Sequence, residues 1–442
     1  MGDRLEERKD YTKEVTAKVP EAKQLAESGK LSEALEMLMV LERLCRVGND
    51  FPNLKEVVLT AVRLCKSVGD WEQLNTTLTL ISKRRGQHSK TVTAMVQEAI
   101  PWLEETPSKE ARVALMVALR DITDGKIFVE AERAKLTRLL AQEKEADGDI
   151  AGAADVLQEV HVETYGALDK KEKAEFILEQ IRLTLAKKDY VRALIQSRKI
   201  NRKVLLDDDM QSIKVRFYEL MVEYDTHEKA PFDLCQDYHS MFDTPSVRNE
   251  KEEEKKKWPD MLKAATLFLV LSPYDNHQQD MLFRVAKYPE LEDMPAYKGL
   301  VKLFTTPEII GYPLEAQAEF EAHPSLSAGG GELLEKWKVD LKTRVVQHNI
   351  RVVSKYYKLV RMPRLASLLG LEEDQAERHV ADMVSDGSLY AKINRPEGIA
   401  SFARPKPCEE VLTEWNADIS KLLGLVERSC HLINKENMLH KI

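Results

Sequence analysis

The chain has little of what active sites, membrane spans and disulfide frameworks are made from. Aromatic residues are 7% of it, and its five cysteines (Cys45, Cys65, Cys235, Cys408 and Cys430) lie scattered, odd in number and never as CxxC. That usage reads as reduced thiols of a cytosolic or nuclear protein and argues against a secreted disulfide scaffold. The longest apolar run, 261–271, is too short to cross a bilayer and contains Lys263, so no membrane contact is expected. The opening MGDRLEERKDYTKEV has no apolar h-region, which predicts no secretory signal. No HExxH, GxGxxG, GxSxG or Gly-rich phosphate loop ending in Lys-Ser/Thr occurs. Gly329-Gly330-Gly331 has no Lys after it, and His227, Cys235 and His239 are one ligand short of a zinc set. Catalytic, cofactor-binding and metal-ligating residues are each expected to number none, and no enzyme is predicted.

What is present is charge and helical period. Charged residues are 32% of the chain and the net charge is −8, a balance that suits a helix-rich, water-soluble protein and gives no hint of a nucleic-acid or membrane-surface partner. One signature recurs through residues 1–200: Gly29-Lys-Leu-Ser-Glu-Ala34, Gly69-Asp-Trp-Glu-Gln-Leu74, Gly148-Asp-Ile-Ala-Gly-Ala153 and Lys188-Asp-Tyr-Val-Arg-Ala193. A fainter copy, Lys109-Glu-Ala-Arg-Val-Ala114, falls where one is missing. Steps of about 40 residues belong to two-helix solenoid repeats, whose faces are buried only by stacking. In each copy the aliphatic or aromatic residue after the turn should anchor a new helix, and a small residue three places on should let its neighbour approach closely, although the second copy has Leu74 there. The array continues less cleanly over 201–332. Asp207-Asp208-Asp209 reads as a helix cap, 250–257 as a solvated charge run, and HPSLSAGGG at 323–331 as a linker.

Residues 333–407 read differently. A long helix with Val345, Ile350, Val353 and Tyr357 on one side precedes a short helix at 362–369 and a third opening at Leu371 and ending at Gly387. The period then falls to two at 389–393 and 399–402, around the turn Asn394-Arg395-Pro396-Glu397-Gly398. Three helices and a hairpin make a winged helix. Its third helix holds Glu372, Glu373, Asp374, Glu377, Asp382 and Asp386, which duplex DNA would repel, so no DNA is expected. A protein-docking edge is expected instead, with Leu389, Tyr390, Ile393, Ile399 and Phe402 as its candidates. Arg351, Lys355 and Lys358 form a basic row, better suited to acidic neighbours than to RNA.

The last segment, 408–442, reads as one helix. Leu412, Trp415, Ile419, Leu422, Val426 and Ile433 advance by three- and four-residue steps, and Leu425, Leu432 and Leu439 add a heptad row. Two apolar seams on one helix call for bundling, with other chains favoured over its own. The fold class expected is all-α: a right-handed, TPR-like helical-repeat solenoid, a winged helix with a small β-hairpin, and a long C-terminal helix.

This order resembles the PCI-domain proteins of the proteasome lid, the signalosome and a translation initiation factor. Extended segments sharpen the likeness to the proteasome lid members: KIFVEAERAKLTRLLA (126–141), VETYGALDKKEKAEFILEQIRL (162–183), LSPYDNHQQDML (271–282), LFTTPEI (303–309) and RVVQHNIRVVSKYYKLVRMPRLASLLGL (344–371). The resemblance implies a non-catalytic scaffold needed for lid assembly and ubiquitin-dependent degradation, in the cytoplasm and nucleus. It implies a hetero-oligomer in which winged helices pack side by side and C-terminal helices share a bundle. Expected partners are other PCI subunits, the lid's zinc deubiquitinase and the ATPase ring. The equivalent signalosome subunit and a translation-factor scaffold are the alternatives.

Overall fold

The computed structural model describes residues 11–248, 258–327 and 330–440. The charge run at 250–257 and part of the glycine linker lie outside the described residues. Contacts divide the chain into two units, Met1–Glu228 with Ser240–Trp258, and Lys229–His239 with Pro259–Ile442.

The first unit is a run of helix pairs. Thr12–Glu27 pairs with Leu31–Val47, Phe51–Val68 with Trp71–Lys83, Glu130–Ala146 with Ile150–Gln158, and Lys170–Ala186 with Tyr190–Ser197. The recurring signature is the turn inside each pair. Gly29, Gly69, Gly148 and Lys188 all sit at positive φ (83°, 77°, 83° and 63°), the left-handed conformation that ends one helix and releases the next. Asp70, Asp149 and Asp189 then cap the following helix by accepting the N–H three residues on. The fainter copy marks the helix Lys109–Thr123, but there Ser108 is the cap and no left-handed residue precedes it.

Within each copy the constant buried position is the one three places into the helix, at Ala34, Leu74, Ala153 and Ala193. The expected anchor is less regular: Leu31 is buried, Trp71 and Tyr190 are half-buried, and Ile150 is exposed. Stacked pairs put residues about one repeat apart side by side, and the charges use this. Lys66 meets Glu105 (2.7 Å), Arg120 meets Glu159 (2.7 Å), and Arg182 meets Glu145 (2.5 Å). Arg182 also bonds Glu179, which in turn holds Arg216 at 3.0 Å. The buried Gln180 amide donates to the Leu157 and Val160 carbonyls (2.6 and 3.0 Å), satisfying the end of the neighbouring helix. Asp208–Met210 is a single 3-10 turn leading into the helix Gln211–Glu228, rather than a side-chain cap.

The second unit holds nearly all of the helix Trp258–Leu271, in which every residue from 261 to 271 except Lys263 is buried. It also holds Asn276–Val285, Pro295–Thr305, the winged helix and the last helix.

Candidate functional site

The winged helix is built on a stem helix, Gly331–Tyr356. Val346, Ile350 and Val353 point from it into a core completed by Leu365, Leu369, Ala376, Val380 and Met383 from the helices Met362–Leu369 and Glu373–Ser385. Tyr357, expected on the inner side, lies beyond the stem and is 45% exposed, because the backbone has already turned extended there. The third helix starts at Glu373 rather than Leu371. Its acidic residues Glu372, Glu373, Asp374, Asp382 and Asp386 are exposed, and Glu377 is held by Arg395 of the wing at 2.6 Å. Burial pushes His379 below the usual imidazole pKa, which works against a positive charge on this helix.

The sheet has three strands: β1 (Leu359–Arg361), β2 (Lys392–Asn394) and β3 (Ile399–Ser401), in the order β1-β3-β2. Val360 and Ile393 flank Ala400, and all pairing is antiparallel. The sequence pattern does not predict β1. Its pairing makes β3 the central strand, so the 399–402 half of the docking edge expected over 389–402 is covered by the chain's own backbone, including a bond from the Phe402 N–H to the Lys358 carbonyl (2.9 Å). The open edges among the described residues are β1 and β2.

The five wing candidates separate accordingly. Phe402 is buried in the winged-helix core and has almost no surface left for a partner. Leu389 and Ile393 pack partly against that core. Tyr390 and Ile399 are half-buried, and Ile399 alternates away from Ala400 and Phe402, toward the outer face. Leu389 and Tyr390 precede β2 instead of belonging to it. The Ser388 and Leu389 N–H groups donate to the Met383 carbonyl (3.0 and 3.2 Å), which holds this stretch to the end of the third helix.

The tail helix, Cys408–Leu439, spans 32 residues and buries none of them. All nine bundle candidates are exposed, from Ile419 at 40% to Trp415 at 65%, together with Leu412, Leu422, Leu425, Val426, Leu432, Ile433 and Leu439. An amphipathic helix gains most of its stability by covering its apolar face. This one has nothing covering it among the described residues of its own chain.

The comparisons follow the same division. Residues 33–250 match the family described as PSMD12/CSN4, N-terminal, residues 317–404 the PCI domain, and residues 409–441 the 26S proteasome regulatory subunit RPN5 C-terminal domain. The 26S proteasome non-ATPase regulatory subunit 12 of Dictyostelium discoideum is 39% identical, over 96% of this chain and 93% of its own. The chain belongs to that subunit family. Homolog A of subunit 12 from Arabidopsis thaliana is 39% identical over 94% of this chain and 99% of its own, and the 26S proteasome regulatory subunit RPN5 of Saccharomyces cerevisiae 36% over 98% and 97%.

Two of the segments that carry the resemblance to this subunit family, 271–282 and 303–309, meet a third, 344–371, on the stem helix. Arg344 Nε donates to the Leu271 carbonyl (3.0 Å), and the Arg351 guanidinium lies 4.0 Å from the Tyr274 ring centre. Asn349 clamps Ile310, accepting its N–H (2.8 Å) and donating to its carbonyl (2.9 Å), and His348 Nε2 bonds the Glu308 carbonyl (3.1 Å). Burial pushes Arg351 down to about 10, which leaves it charged, and Arg344 down as well. The basic row therefore loses its first member to packing, and Lys358 lies past the end of the helix. These stem residues were missed as a cluster. Their polar identities on an otherwise apolar helix face were the available signal. His227, Cys235 and His239 have other surroundings: His227 stacks on Tyr190 (3.5 Å), His239 bonds the Tyr288 hydroxyl (2.7 Å), and burial pushes the Cys235 thiol up.

Proposed function

We propose that this chain is a scaffold subunit of the lid of the proteasome regulatory particle, does no chemistry of its own, and serves ubiquitin-dependent degradation by holding other subunits in place. The observation that carries the reading is the tail helix, whose apolar seams are wholly uncovered. A helix of that length, about 48 Å at 1.5 Å per residue, needs companions along most of itself. We assign the same role to the open strand edges of the winged helix, where a neighbour's strand or wing can pair. The working division is helical repeats over 1–200, the rest of the array over 201–332, a PCI winged helix over 333–407 and a bundle helix over 408–442. Other PCI subunits are the proposed companions of the wing and tail, with the lid deubiquitinase and the ATPase ring as further neighbours. The proposed compartments are the cytoplasm and nucleus. No helix among the described residues is long and apolar enough to cross a membrane. The match of 409–441 to the RPN5 C-terminal domain supports the proteasome over the signalosome, since the N-terminal match names both lineages.

Native pull-down of the full chain beside one ending at Pro407, read by mass spectrometry, tests the proposal. The full chain should bring proteasome lid and ATPase subunits, and the truncated chain should lose them. Recovery of signalosome subunits or ribosomal proteins in their place would sink the assignment.

A further inference from the structure

The first two helix pairs carry a cluster of arginines that the assembly reading leaves unused. Arg43 and Arg46 stand on the helix Leu31–Val47, and Arg84 and Arg85 follow the helix Trp71–Lys83. With Met39 and Val40 they line an open hollow of about 410 Å³. One buried carboxylate, Glu42, organises two of them: it accepts from Arg46 Nε at 3.0 Å and from Arg84 Nη1. Arg46 Nη1 also donates to the Arg85 carbonyl (2.6 Å), and Arg84 Nη1 to the Met39 carbonyl (3.4 Å). These bonds fix Arg46 and Arg84 in place before anything arrives, which lowers the cost of binding. Arg43 and Arg85 are exposed and, among the described residues, enter no ion pair. A chain whose net charge is −8 thus concentrates four guanidiniums against a single carboxylate at one hollow. The exposed Glu36, one turn before Val40, bounds the patch on that side.

We infer that this hollow binds an acidic segment of another protein, one that carries an apolar side chain among its carboxylates. The guanidinium fork matches a carboxylate with two parallel hydrogen bonds, as an ammonium group does not. Val40, 56% exposed, and Met39 supply an apolar wall that a free anion would not use. Nucleic acid would need a longer track of cations than these few side chains form. The inference concerns the isolated chain and does not rest on the proteasome assignment.

Fluorescence anisotropy of a labelled Glu-Glu-Leu-Glu-Asp-Leu-Glu peptide titrated with the full chain tests it. Binding should saturate, weaken as salt is added, and fall by about tenfold or more in the double variant Arg43→Glu/Arg85→Glu. The charge-matched variant Lys135→Glu/Lys171→Glu, at exposed sites elsewhere, should bind as the parent does. Circular dichroism checks that each variant is folded. A peptide with Ser for Leu should bind several-fold more weakly. Absence of saturable binding, equal loss in both variants, indifference to the Leu-to-Ser change, or tighter arginine-dependent binding of oligouridylate or inorganic phosphate would each overturn the inference.

Discussion

His348 shows how a single buried side chain ties stability to pH. It sits on the stem helix against the Phe304 ring, with ring centres 5.4 Å apart, and its Nε2 bonds the Glu308 carbonyl. Burial, and then the positive charges of Arg351 and Lys355, lower its pKa to about 4, against the opposing pull of hydrogen bonds to the Glu308 and Thr306 carbonyls. The folded protein therefore keeps His348 neutral, while an unfolded chain protonates it near the ordinary value of about 6.5. Below that value the unfolded state binds the extra proton, so this contribution is intact above pH 6.5 and is lost as pH falls toward 4. Between about pH 7.5 and about pH 5 the site should cost about 2 kcal/mol of stability. Urea titrations of the parent and His348→Gln at the two pH values check this: the variant should show the smaller loss, and parallel curves would refute it. The residue letters disclosed little of this arrangement. HN at 348–349 reads as two polar residues on an amphipathic helix, and only the fold brings Glu308 and Ile310 within reach of them.

At the scale of elements, the helices were legible because their signals are local. The repeat turns are recognisable since a left-handed residue, a cap and a buried position three places in are all set by adjacent letters. The same turn also extends past the copies that were recognised, to Lys229 at φ 59° after the helix Gln211–Glu228. β1 was not legible. Three residues, Leu-Val-Arg, carry no alternation of their own, and they are a strand only because β3 pairs with them from about 40 residues downstream. That long-range pairing also covers the second strand of the docking edge expected over 389–402, at Ile399, and leaves β2 open. The hairpin expected from 389–393 and 399–402 is present, but its first strand begins only at Lys392, since the helix end at Met383 captures the Ser388 and Leu389 N–H groups. Lys188 offers a direct test of the repeat turn. It holds the left-handed position that glycine fills at Gly29, Gly69 and Gly148, where a side chain carries a backbone cost of about 1 kcal/mol. Lys188→Gly should therefore stabilise the first unit by up to about 1 kcal/mol, less the entropy glycine adds to the unfolded chain. A raised denaturation midpoint with an unchanged slope is the expected result, and a lowered midpoint would contradict it.

For the whole molecule, the tail helix is where folding and the proposed assembly role can be told apart. The apolar rows of 408–442 announce a bundle and favour other chains over its own, yet spacing alone does not fix which of the two forms. The structure leaves every residue of Cys408–Leu439 uncovered. A segment that buries nothing contributes little to the stability of the rest, because burial is where helix stability in proteins comes from. Ending the chain at Pro407 should then shift the thermal midpoint by less than about 2 °C, within the range of a change that removes no buried contact. In the isolated full chain the amides of 408–439 should exchange quickly with solvent, and in the assembled particle they should become protected. A drop in the midpoint of about 10 °C on truncation, or slow exchange of these amides in the isolated chain, would mean that the tail folds back on its own chain in solution. Stability retained together with partners lost would instead assign the tail wholly to assembly, which is the outcome expected from its exposed Trp415, Leu422 and Leu432.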